Sequence, residues 1–84
     1  RPEATSPIFE KLIQYIREQG VNRDNMRSVM TTVREIGQEY RSLEDKSGYK
    51  PSEEKLKTLA EAGLSDETAS VVIEIIKALV VYDR

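Results

Sequence analysis

The chain of 84 residues contains no cysteine, no histidine and no tryptophan, and the first two absences each remove a class of function. Without cysteine there is no disulfide, no thiolate metal ligand and no cysteine nucleophile. Without histidine there is no common zinc ligand and no general base with an ordinary pKa near neutral pH. The Ser-His and Cys-His catalytic arrangements are therefore excluded. The sequence predicts a protein that is not an enzyme and uses neither a metal nor another cofactor.

Long apolar runs and a strong excess of either charge are also missing. No stretch has the roughly 18 consecutive apolar residues of a membrane-spanning helix, and none resembles a signal peptide. The formal net charge is −2 and the pI is near 5.2, which disfavours nucleic acid or an anionic membrane as the main partner. With the lack of cysteine, these features predict a cytoplasmic protein without membrane association.

The residues that are present have the balance of a folded helical domain. Charged residues make up 33% of the chain and hydrophobic residues 38%, and there are only four glycines. A chain of this length is expected to form one domain with a small core. Residues 1–5 have no apolar periodicity and are expected to be a flexible tail or linker, which leaves residues 6–84 as the domain.

Apolar periodicity and capping residues divide this domain into four helices. Each segment is preceded by a residue whose side chain can cap the first turn, and these residues are Ser6, Asn22, Ser52 and Ser65. The predicted helices span residues 7–19, 23–46, 53–62 and 66–82. We therefore expect an all-α fold, a compact four-helix bundle whose third helix is short.

The second helix is expected to be the longest, because apolar residues repeat along it at intervals of seven. The two repeating sets are Met26, Val33 and Tyr40, and Val29, Ile36 and Leu43. Gly37 lies within this helix and costs up to about 1 kcal/mol relative to alanine. It permits a close helix crossing, marks a bend, or is a tolerated surface glycine.

The last helix is apolar almost all round, which is more than one buried face requires. Its interior polar residues, Ser70, Glu74 and Lys77, are spaced by three or four positions, and this spacing favours a helix over a strand. Three interpretations remain open: the helix runs through the core, a partner or a second copy covers part of it, or another part of a longer parent chain covers it. If a partner or a second copy covers the helix, the contact residues are Ile76, Leu79, Val80 and Tyr82.

The second helix also carries a row of arginines, which are Arg23, Arg27, Arg34 and Arg41. The last three are seven residues apart and so lie along one side of the helix. The row is suited to an acidic protein partner or to nucleic-acid phosphates. The remaining interpretation is a solvated face with weak ion pairs, such as Arg41 with Asp45.

The unit from Leu56 to Ile76 consists of a helix, the turn Ala62-Gly63-Leu64, capping Ser65 and a second helix. In these turn residues it resembles ubiquitin-associated domains and the helix-hairpin-helix motif of DNA-binding proteins. The first resemblance implies a further short helix, and the second implies two glycines in the turn, of which only Gly63 is present. The sequence assigns the chain to neither family.

These patterns predict a non-catalytic module for protein–protein interaction or self-association, as an assembly, docking or regulatory domain of a larger protein. A protein partner or a homodimer is the expected partner. The alternative is a nucleic-acid-binding helical domain that uses the arginine row.

Overall fold

The structure, a computed structural model, describes residues 6–82 and contains four α-helices and no strand in that range. The helices are α1 (Pro7–Glu18), α2 (Arg23–Ser42), α3 (Glu53–Glu61) and α4 (Asp66–Tyr82). The predicted all-α bundle with a short third helix is confirmed. The predicted tail, residues 1–5, lies outside the described residues.

All four predicted capping residues cap their helices. Each side-chain oxygen accepts a hydrogen bond from the backbone N–H three residues later, at distances of 2.9 to 3.3 Å. These contacts satisfy donors in the first turn that have no partner within the helix. Local side-chain chemistry therefore determines where each helix begins.

The end of α2 differs from the prediction, because the helix stops at Ser42 rather than near Lys46. Leu43 has an extended backbone and is 36% exposed, so the apolar repeat fails at its last member. The Lys46 Nζ donates hydrogen bonds to the carbonyls of Arg41 and Leu43, at 3.2 and 2.7 Å. A lysine that caps the helix end replaces the further turn that the repeat predicted.

The helix α4 lies at the centre of the fold and packs against each of the other three helices. Its buried residues are Ala69, Val72, Ile73 and Ile76. Ala69, Val72 and Ile76 join one core cluster with residues from α1, α2 and α3, which include Leu12, Ile16, Val29, Ile36 and Leu59. Much of the apolar excess of this helix is therefore explained by burial within the chain.

The turn between α3 and α4 depends on Gly63, whose φ of 107° lies in the left-handed region. The N–H of Gly63 donates to the carbonyl of Ala60 at 3.0 Å, and the N–H of Leu64 donates to that of Leu59 at 3.1 Å. This pair of bonds is a Schellman motif, and Leu59 and Leu64 complete it by packing into the core. The turn sets the direction in which α4 enters the core.

A small polar network holds α3 and the preceding loop onto α2. The carboxylate of Glu39 accepts hydrogen bonds from Tyr49 Oη at 2.7 Å and from Lys55 Nζ at 2.8 Å. The ring of Tyr49 also packs against Tyr40, with centroids 5.5 Å apart. The hydrogen bonds from Lys55 and Tyr49 lower the pKa of Glu39 below its usual value of 4.5.

The backbones of the consecutive helices α1 and α2 lie farther apart than those of directly packed helices. α1 lies on α4, and no Cα atom of α1 is within 8 Å of a Cα atom of α2. Packed helices have axes only about 8 to 10 Å apart, which brings their nearest Cα atoms closer than this. A gap therefore runs between α1 and α2, and the candidate site lies along it.

Candidate protein-binding grooves

The first groove lies between the start of α1, the second half of α2 and the end of α4, and has a volume of about 490 Å³. We call it the α4 groove, and its lining residues are Ser6, Phe9, Val33, Arg34, Gly37, Gln38, Arg41, Ile76, Leu79 and Val80. Part of the predicted apolar set and part of the predicted arginine row therefore meet in one place. The sequence had treated these two sets as features of separate helices.

The predicted apolar residues differ in what they present to a partner. Ile76 is only 2% exposed and forms the floor of the α4 groove as part of the core. Leu79 and Val80 are half-buried and line the groove. Tyr82 is 78% exposed and lies outside its lining. The accessible centre of this surface is thus formed by Leu79 and Val80 rather than by Ile76.

The second groove occupies the gap between α1 and α2 and has a volume of about 750 Å³. We call it the methionine groove, and its lining residues are Phe9, Ile13, Arg17, Val21, Arg23, Met26, Arg27, Met30 and Arg34. Phe9, Met26 and Met30 are partly buried against the core. Because methionine side chains are flexible and polarisable, such a floor adapts well to a bound apolar side chain.

The two grooves form one continuous surface, because both are lined by Phe9 and Arg34. This surface follows α2 from Arg23 to Arg41 and includes the whole predicted arginine row. Sequence reasoning missed Arg17, which contributes from α1. The sequence shows only that Arg17 lies near the end of α1. That position does not reveal which neighbouring helix its side chain faces.

Charge is strongly segregated on this surface. All five arginines of residues 6–82 line one or both grooves, whereas no lysine, aspartate or glutamate does. Within the same range, the ion pairs are Lys55 with Glu39 and Lys77 with Glu74, so the arginines carry no carboxylate partner there. In a chain with a net charge of −2, the charged residues that line the two grooves are therefore all arginines.

The weak ion pair between Arg41 and Asp45, which was one interpretation of the sequence, is not among the ion pairs of residues 6–82. Because α2 ends at Ser42, Asp45 is no longer one helical turn away from Arg41. Its carboxylate instead accepts hydrogen bonds from the N–H and hydroxyl of Ser47, at 3.0 and 2.6 Å. These two bonds also lower the pKa of Asp45.

A separate apolar strip lies on the outer side of α4, away from the two grooves. Ile75 and Ala78 are half-buried there, and Val71 is 41% exposed. Ile8 of α1 joins them in a shallow depression. With Tyr82, the three α4 residues repeat at intervals of four, three and four, which places them on one face of the helix.

Two kinds of site are absent from residues 6–82, a cluster of metal-ligating side chains and a membrane-spanning helix. Between Ser6 and Tyr82, no three acidic side chains are grouped so that they can hold a metal ion. No helix in this range has both the length and the apolar character needed to cross a bilayer. Comparison of the chain with protein-family models, with curated proteins and with solved structures finds no match.

Proposed function

We propose that this protein is a protein-interaction module that binds a partner protein in the α4 groove and the adjoining methionine groove. The observation that supports the proposal is the coincidence, on one face, of half-buried apolar side chains with every arginine of residues 6–82. Protein interfaces favour aromatic residues, methionine and arginine in this way and avoid lysine and acidic residues. Phe9, Met26 and Met30 supply the first two types.

An apolar floor of this kind is better suited to a protein than to nucleic acid. A phosphate backbone gains nothing from burying Leu79, Val80 or the two methionines. Single strands are usually held by stacking on several aromatic rings, and Phe9 is the one aromatic residue that lines the grooves. The negative net charge of the chain points in the same direction.

The proposal can be tested with a displayed library of random helical peptides and two neighbouring variants of α4. Val80 lines the α4 groove, whereas Val81 is 44% exposed and does not. We expect selected peptides to lose binding to V80D and to retain binding to V81D, with both variants folded by circular dichroism. Equal binding to the two variants, or a library that yields no binder competing at the groove, contradicts the proposal.

Nucleic-acid binding is the second candidate, because the five arginines lack carboxylate partners among the described residues. It predicts an affinity for an oligonucleotide that falls steeply with salt, since each phosphate contact releases counterions. It also predicts loss of binding when Arg27→Glu and Arg34→Glu are combined. An affinity that survives both changes removes this candidate.

A further inference from the structure

The face of α2 that lines the grooves has the spacing of a coiled-coil seam. Met26, Met30, Val33 and Gly37 follow one another at intervals of four, three and four, and all four line the α4 groove or the methionine groove. These are the intervals between successive d and a positions of a heptad repeat. Val33 is only 4% exposed and belongs to the core, so the accessible holes of this row lie around Met26 and Met30, which are partly buried.

The arginines have a fixed position in the same heptad. If Met26 and Val33 occupy d positions, then Arg27, Arg34 and Arg41 occupy three successive e positions. Residues at e flank the apolar seam and pair with charges on the neighbouring helix, which makes them determinants of partner choice. Arg17 faces the gap from α1, so both walls of the methionine groove are basic.

We propose that the two grooves bind an acidic amphipathic helix of another protein, laid along α2 in the gap beside α1. This inference rests on the proposed function and adds the chemistry of the partner. The helix would place apolar residues on the seam and glutamates or aspartates opposite the arginines. Arginine is better suited than lysine to bind such a partner, because its guanidinium binds a carboxylate through two parallel hydrogen bonds.

The length of the surface sets the length of the partner helix. The α2 segment from Arg23 to Arg41 extends for about 27 Å at a rise of 1.5 Å per residue, so a helix of about 18 residues covers it. Gly37 marks the end of this seam where α2 meets α4, because a Cβ there would lie 3.7 Å from Ile76 Cγ2.

The test uses two synthetic peptides of about 18 residues, each with leucine at the a and d positions. One carries glutamate at the flanking positions, and the other carries glutamine there. Binding of the whole chain to each labelled peptide is followed by fluorescence anisotropy at low and high salt. We expect the glutamate peptide to bind about tenfold more tightly at low salt, and the difference to shrink at high salt.

Two double variants with the same change in net charge provide the control. Arg27→Gln with Arg34→Gln removes two groove charges, whereas Lys11→Gln with Lys57→Gln removes two exposed charges outside the grooves. The arginine variant is expected to bind the glutamate peptide about tenfold more weakly and the glutamine peptide unchanged. The lysine variant is expected to bind both peptides within about twofold of the parent chain, since screening limits charges at a distance.

The outcomes separate this inference from the proposed function. If both peptides bind equally and V80D abolishes binding, the groove binds helices but not through acidic residues, and the inference is wrong. If neither peptide binds, the inference is also wrong, while the displayed library decides the proposed function independently. If a single-stranded oligonucleotide displaces the glutamate peptide and binds more tightly, the partner is a nucleic acid and both proposals are replaced.

Discussion

At the scale of single residues, two glycines make opposite predictions for substitution by alanine. Gly37 lies within α2, and a Cβ there would meet Ile76 Cγ2 at 3.7 Å, an ordinary contact. Gly37→Ala is therefore expected to raise the free energy of unfolding by about 0.5 to 1 kcal/mol. Gly63 has positive φ, so Gly63→Ala is expected to lower it by about 1 kcal/mol. Urea denaturation measures both, and a destabilised Gly37→Ala variant would refute the spacing of α2 and α4 described above.

The Glu39 network gives a prediction for pH. Because the pKa of Glu39 is lower in the folded state than its usual 4.5, the unfolded chain binds a proton more readily in this range. The network therefore stabilises the fold above the unfolded pKa, and this contribution is lost as the pH falls through the folded value. Tyr49→Phe removes one hydrogen bond and is expected to raise the pKa of Glu39, as measured by NMR titration of its carboxyl carbon. Tyr15→Phe is the control, since Tyr15 makes no hydrogen bond to Glu39.

At the scale of elements, α4 is central along most of its length and open at its end. Val72 is fully buried, whereas Val81 is 44% exposed. Val72→Ala is expected to lower the free energy of unfolding by about 2 kcal/mol through lost burial and a residual cavity. Val81→Ala is expected to change it by less than about 0.5 kcal/mol. Thermal or urea unfolding compares the two, and similar effects would mean that the last turn is buried.

The elements also show which features can be read from sequence. Helix starts were predicted well, because a capping side chain and its N–H partner are three residues apart. The end of α2 was not, because the burial of Leu43 depends on whether another helix covers it, and none does within the described residues. Leu79 and Val80 were predicted as contact residues from the apolar excess of the last helix, and the arginine row from its spacing along the second helix. Their convergence, and the part played by Phe9 and Met30, depend on how the helices cross.

At the scale of the whole molecule, charge bears on whether the grooves join two copies of this chain. A two-fold symmetric contact places the same surface of each copy against itself. Here it would bring five arginines against five, with no carboxylate among the lining residues to offset them. We therefore expect no dimer through the grooves, so any dimer found by light scattering over a concentration series at low salt is expected to survive V80D. A dimer that V80D dissociates would contradict this, whereas one that Val71→Asp dissociates would use the outer strip of α4.

The attachment of α1 has a consequence for local unfolding. The backbone of this helix lies close to that of α4 alone, whereas the backbones of α2 and α3 each lie close to those of two other helices. Its amide hydrogens are therefore expected to exchange with solvent faster than those of α2, because opening α1 breaks fewer contacts. A helix bound in the gap would give α1 a second neighbour. Slower amide exchange across α1 would then report that the gap is occupied, even though most of the new contacts are made by α2.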